Sequence, residues 1–342
     1  MPKYFRILSI DGGGIRGVLP GQVLCHVEKY LQTITQDKSA RLSDFFDMVA
    51  GTSTGGILAC AFLLPDSSSR PKFRSNEVVD LYLNRGEAIF DRPFFKKLRT
   101  LGGITDEKYP EKGLEKALEE YFGETKISQL LKPCVIPSYD VTRRKATFFR
   151  QHSAKKKGDC ADFLVKDITR ATSAAPTYFE CANIKSLEGD EYAMIDGGIF
   201  ANNPGLCAYA DARRFYGKTA SEMVIFSLGT GEKKKSYPYD KVKNWGLVQW
   251  PAPLIDIMMS SVAETVDFQL KQIYEAVEQP SQYLRVNETL PEWVNEEMDD
   301  ANEENMRALQ QFGDQVFAKH KVAIESFAKK YLVQDDGDDL IA

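Results

Sequence analysis

Residues 46–64 read F-D-M-V-A-G-T-S-T-G-G-I-L-A-C-A-F-L-L. The apolar run 46–50 has the length of a buried strand, and 54–64 is apolar without a break, as in a buried helix. Between them Gly51-Thr52-Ser53-Thr54-Gly55 supplies a glycine on each side of one serine, so the chain turns sharply with that serine at its apex. The same order occurs upstream. Residues 4–10 (Y-F-R-I-L-S-I) form a strand-like run, Asp11-Gly12-Gly13-Gly14 ends it, and 18–34 has helical periodicity with Leu24, Val27, Tyr30 and Leu31 on one stripe. Two strand–glycine turn–helix units within the first 65 residues predict an α/β fold with a mostly parallel central sheet flanked by helices.

Further strands are expected at 133–137, 147–149, 190–195 and 223–228, and a charged amphipathic helix at 113–122. Lys155-Lys156-Lys157 reads as loop. From about 290 the chain turns polar, with Leu309, Phe312, Val316, Phe327 and Tyr331 near one helical face. This divides the chain into a core, 1–232, a helical extension, 233–332, and an acidic tail, 333–342, whose D-D-G-D-D suggests disorder.

The 342 residues are 43% hydrophobic and 27% charged, an ordinary globular composition, and the net charge of -5 argues against general nucleic-acid binding. No apolar run approaches the ~20 residues of a membrane span. The N-terminus enters a strand without a signal-peptide pattern. The six cysteines are scattered, with no C-x-x-C pair or metal-ligand grouping. A cytoplasmic protein with reduced thiols and no metal or other cofactor is expected.

Asp11-Gly12-Gly13-Gly14-Ile15-Arg16-Gly17 lies between a strand and a helix. Amides exposed there, backed by the helix dipole, would hold a phosphate or a transient oxyanion equally well. The spacing of Gly12, Gly14 and Gly17 also satisfies the dinucleotide fingerprint, so a nucleotide- or phosphate-binding protein is the alternative reading. That reading needs an acidic residue closing the next strand, whereas Asp44 and Asp47 precede or enter it.

Ser53 between strand and helix has the setting of a nucleophile elbow, although a serine capping the following helix fits the same residues. A nucleophile needs a base, and the chain has three histidines: His26 on the first helix, His152 before the lysine run, and His320 among lysines. None directly follows a predicted strand, where an α/β hydrolase would place its histidine. Asp196 is the better candidate, because it ends a strand and precedes Gly197-Gly198, the arrangement that exposes Ser53, and catalytic groups of parallel sheets gather at the strands' carboxyl ends. A carboxylate with pKa about 4 is a weak base, but burial raises that value.

Together D-G-G-G-I-R-G (11–17), G-T-S-T-G (51–55), R-A-T-S-A-A-P-T-Y-F (170–179) and D-G-G-I-F-A-N-N-P (196–204) resemble the patatin-like phospholipases over about residues 5 to 232. The resemblance implies a three-layer α/β/α sandwich and a serine–aspartate dyad that hydrolyses acyl esters of lipids. By position, Ser53 would be the nucleophile and Asp196 its base. The amides of Gly13 and Gly14, with the Arg16 side chain, would hold the oxyanion. Asp11, Gly12, Gly17, Gly51, Thr54, Gly55, Gly197 and Gly198 would support these motifs. The partner implied is a phospholipid membrane surface, met by peripheral association.

Residues 244–257 (N-W-G-L-V-Q-W-P-A-P-L-I-D-I) offer a candidate interfacial patch, with burial in the core or in a homo-oligomer contact as the competing expectation. Residues 94–99 (F-F-K-K-L-R) offer a second lipid-facing candidate. A cytoplasmic lipase needs control, and the compact size resembles bacterial antiviral effectors switched on by cyclic oligonucleotides, which makes such an activator a further expectation.

Overall fold

The computed structural model describes residues 3–89, 111–233 and 236–333. The 94–99 patch and nearly all of the acidic tail lie outside them. Eight strands form one sheet in the order β5-β6-β3-β2-β1-β7-β8, with β4 also paired to β3. They are β1 (Phe5–Ile10), β2 (Met48–Gly51), β3 (Cys134–Asp140), β4 (Lys145–Arg150), β5 (Ala182–Lys185), β6 (Glu191–Asp196), β7 (Met223–Leu228) and β8 (Tyr283–Val286). Strands β3, β2, β1, β7 and β8 run parallel to their neighbours, whereas β4, β5 and β6 join antiparallel.

Successive strand side chains point to opposite faces, and over the central strands β1, β2, β3 and β7 both faces are buried. Ile7, Met48, Ala50 and Ile225 pack into one core with Ala208 and Ala212 of the helix Gly205–Tyr216 and Leu270 of the helix Pro251–Ala276. Leu8, Ile10, Val49 and Phe226 pack into the other. That second core takes Leu24 and Leu31 from α1 (Val18–Ile34) and Leu58 and Phe62 from α2 (Thr54–Leu63). It also takes Leu309 and Val316 from the long helix Glu303–Phe327. The result is the expected three-layer α/β/α sandwich. All ten residues of α2 are buried, which explains why its sequence has no polar face.

Three expectations need adjusting. The lysine run belongs to a helix, Gln151–Lys157, with its three lysines in the last turn, where cations favour the helix dipole. The stretch 233–332 is not only helical, because it contributes strand β8, paired to β7. Asp196 ends a strand antiparallel to β3, so the rule that placed it at a parallel strand's carboxyl end does not apply. None of the six cysteines is joined in a disulfide, and no described helix is long and apolar enough to cross a membrane.

Candidate active site

Strand β3 is the common reference for the two acid–base candidates. Ala50 of β2 is paired with Val135, and Asp196, ending β6 from the opposite direction, is paired with Ser138. Two strands of opposite direction therefore end at neighbouring levels of β3, and the residues at their ends meet. Pro137 lies between, and its carbonyl accepts from Thr172 Oγ1 at 2.6 Å. Thr172 Oγ1 in turn accepts the Ser53 amide at 3.0 Å. A Cβ on Gly197 would lie 2.3 Å from the same Pro137 carbonyl, so the turn after Asp196 closes only with glycine.

Ser53 has φ 54° and ψ -124°, a sparsely populated conformation that costs about 1–3 kcal/mol for a residue with a Cβ. The elbow is held by contact. A Cβ on Gly51 would fall 2.0 Å from the Gly55 carbonyl, and one on Gly55 would fall 2.2 Å from the Ile10 carbonyl. Thr54, the first helical residue, shares a 2.7 Å hydrogen bond with the buried Tyr82 hydroxyl. Gly17 leaves room for Thr54, whose Oγ1 would be 2.1 Å from a Cβ there.

Asp196 is fully buried. Its Oδ1 accepts the Gly198 amide at 2.7 Å, whereas Oδ2 has no hydrogen-bond partner among the described residues. Burial pushes its pKa from the usual carboxylate range up to about 7, against smaller opposing contributions from the Gly198 amide and the nearby Ser53 hydroxyl. The Ser53 hydroxyl is thus close enough to favour the carboxylate, although the two are not joined by a hydrogen bond of standard geometry.

The glycine loop wraps against this pair, since a Cβ on Gly12 would lie 3.2 Å from Ser53 Cβ. The Gly12 amide donates to Asn202 and the Ile15 amide to Met298. Among the described residues the Gly13 and Gly14 amides between them have no acceptor. Gly14 adopts φ 60°, with the Met298 carbonyl 2.2 Å from where its Cβ would stand. Arg16 is placed differently: its guanidinium donates to the carbonyls of Gly13 at 3.4 Å and Gly231 at 3.1 Å, so it braces the loop from outside the Ser53 cleft. Asp11 lies beneath the loop in a buried bidentate pair with Arg285.

Ser53, Asp196 and Gly14 border one cleft, narrow in its enclosed part at about 40 Å³ and reaching about 680 Å³ with its open mouth. Its other walls are mainly Ile57, Leu81, Leu114, Leu118, Phe179 and Met259, which leaves an apolar slot suited to a hydrocarbon chain. No histidine borders it. Nε2 of His26 is 2.7 Å from Asp314, of His152 3.0 Å from Asp211, and of His320 2.7 Å from Glu288. Nor are the acids that a dinucleotide reading would use free: Asp47 is paired with Arg6 and Asp44 with Arg70.

The sequence reading had no role for Thr172, Thr230 or Arg285. Thr172 falls within the quoted 170–179 motif. Thr230 donates to the Gly12 carbonyl at 2.8 Å from the glycine-flanked turn after β7. Nothing local marks Arg285. Thr172→Val should remove both the Ser53 amide's acceptor and the donor to Pro137. With buried groups left unsatisfied at about 1–3 kcal/mol each, we expect a loss of 2–5 kcal/mol in urea unfolding. Serine at this position should restore most of it.

A family model described as patatin-like phospholipase matches residues 8–206. Patatin-like protein 2 of Arabidopsis thaliana is 33% identical across 92% of this chain and 83% of that protein. Patatin-08 of Solanum tuberosum is 32% identical across 96% and 90%. A further Solanum tuberosum relative, 30% identical across 94% and 91%, bears the name "Probable inactive patatin-3-Kuras 1".

Proposed function

The chain belongs to the patatin-like phospholipase family, a family of lipid acyl hydrolases, and on that premise we propose that it cleaves fatty-acyl esters of membrane phospholipids with a Ser53–Asp196 dyad. One observation carries the reading: a buried carboxylate oxygen with no hydrogen-bond partner among the described residues, beside a serine in an elbow, at the wall of an apolar cleft. One relative bears the name "Probable inactive patatin-3-Kuras 1", so membership alone does not supply the activity.

In this mechanism Asp196 takes the Ser53 proton as Oγ attacks the ester carbonyl. The oxyanion is received by the Gly13 and Gly14 amides, each such donor lowering the barrier by about 3 kcal/mol. Collapse breaks the ester C–O bond, and the departing lysolipid oxygen takes the proton from Asp196. Water, deprotonated by Asp196, then attacks the acyl-serine. The fatty acid leaves and Ser53 recovers its proton.

The test is release of fatty acid and lysolipid from mixed phospholipid vesicles, measured by mass spectrometry, with a fluorophosphonate probe for Ser53. Running it with and without cyclic oligonucleotides tests the proposed switch, and equal release in both arms removes it. Absence of release and of labelling in every arm would return attention to phosphate binding at 11–17.

The carboxylate form of Asp196 is the active one, so kcat/KM on a soluble ester should rise with pH and level off above about 7. A profile flat from pH 5 to 9 would assign the base elsewhere. For the membrane contact, Leu247 and Val248 are 93% and 86% exposed, beside Trp250 and Leu254 and leading into the helix that carries Met259. Partial insertion of two such side chains stabilises binding by about 1.5–3 kcal/mol. Changing both to Asp should lower the vesicle rate, relative to the rate on p-nitrophenyl butyrate, by about tenfold or more.

A further inference from the structure

A second, polar cleft opens beside the apolar one, and Met259 and Met298 border both. It spans about 1570 Å³ including its open mouth. Most of its charges are matched within the chain: Asp11 with Arg285, Asp256 with Lys233 at 2.8 Å, and Asp267 with Lys271 at 2.8 Å. Glu232 accepts from Asn287 at 3.0 Å. Three charges have no counter-ion within ion-pair distance among the described residues: the cation of Arg16 and the carboxylates of Glu232 and Glu264. Arg16 is buried in the floor, donating only to backbone carbonyls, and Glu264 is exposed. Asn202 adds a buried Oδ1, in a residue 7% exposed, with no hydrogen-bond partner among the described residues; it lies 3.1 Å from where a Gly198 Cβ would stand, two residues from Asp196.

An amphiphile with its acyl chain in the apolar slot and its ester at Ser53 would pass the two methionines into this cleft. A buried unpaired cation calls for an anion, and the exposed Glu264 carboxylate lining the same cleft can accept a cation. We propose that the polar cleft receives the head group of a zwitterionic glycerophospholipid, its phosphate at Arg16 and its ammonium at Glu264. Asn202 is available to accept from a donor on the head group. This rests on the acyl-hydrolase reading and adds the substrate class to it. It also gives Arg16 a task other than oxyanion binding.

The experiment measures kcat/KM for phosphatidylethanolamine, phosphatidylglycerol and diacylglycerol of identical acyl chains in neutral detergent micelles. Each value is divided by the same preparation's rate on p-nitrophenyl butyrate. The wild-type protein should prefer phosphatidylethanolamine over the other two by about tenfold, and Glu264→Lys should reduce or invert its preference over phosphatidylglycerol. Soluble glycerophosphoethanolamine should raise KM for phosphatidylethanolamine in wild type, and inorganic phosphate at the same concentration should not. Equal rates on the three lipids, a ratio unmoved by Glu264→Lys, or equal inhibition by both competitors would overturn the head-group site while leaving the dyad intact. Failure to cleave any lipid or p-nitrophenyl butyrate, without labelling of Ser53, would overturn the acyl-hydrolase reading and this proposal with it.

Discussion

Ser53→Ala is expected to lower acyl-ester hydrolysis by a factor of about 10⁴ or more and to abolish fluorophosphonate labelling. Removing a serine nucleophile withdraws the covalent path altogether, and losses near 10⁶ are known for such enzymes. A factor of 10⁴ corresponds to about 5.5 kcal/mol of barrier. The fold should not change, because alanine keeps the Cβ and with it the strain at φ 54°, while the amide bond to Thr172 is untouched. The Tm should therefore stay within about a degree of wild type. An active Ser53→Ala protein would end the dyad reading.

Asp196→Asn is expected to lower kcat by at least about 10³, since it removes the one base the mechanism has. It should also stabilise the protein, and the pH dependence gives the sign. The folded pKa is raised to about 7 from 3.8. Between those values the folded state holds a proton that the unfolded chain has released, so stability falls as pH rises through this window and stays low above it. About three units correspond to roughly 4 kcal/mol, an upper estimate for a fully buried group. Asparagine carries no charge at any of these pH values. The gain in Tm over wild type should accordingly be larger at pH 8.5 than at pH 5, and scanning calorimetry at the two pH values reads it. A gain independent of pH would mean that Asp196 is not held near neutrality by burial. Such a trade of stability for a poised base is common at active sites.

Local residues were enough to mark the fold at its strongest points. The stretch 223–228 and the helix over 18–34 have their periodicity or apolar run intact, and the structure has strand and helix at those positions. Where charge decided the reading, it misled. Lys155–Lys157 looked like loop because nothing local shows the helical turn that Gln151 and Ala154 anchor by burial. His152 gave no sign that it lies against Asp211, 59 residues later in the chain. The 244–257 stretch left an interfacial patch and a covered face both open, because an apolar composition alone does not distinguish them; in the folded chain Leu247 and Val248 stand exposed.

By itself the sequence determined that a serine stands at an elbow and an aspartate at a strand end, because the glycines around each leave the chain few other paths. It also determined that both faces of the central strands are buried, through apolar runs without a polar alternate. Only the tertiary structure decided that the two residues meet. Strand β6 runs against β3 and ends near the level where β2 ends, and pairing between distant strands is written in no local stretch. The raised pKa of Asp196 belongs to the same level, since burial is a property of everything packed around a group. So does the placement of Arg16, whose bond to the Gly231 carbonyl forms only once the turn after β7 has closed on the glycine loop.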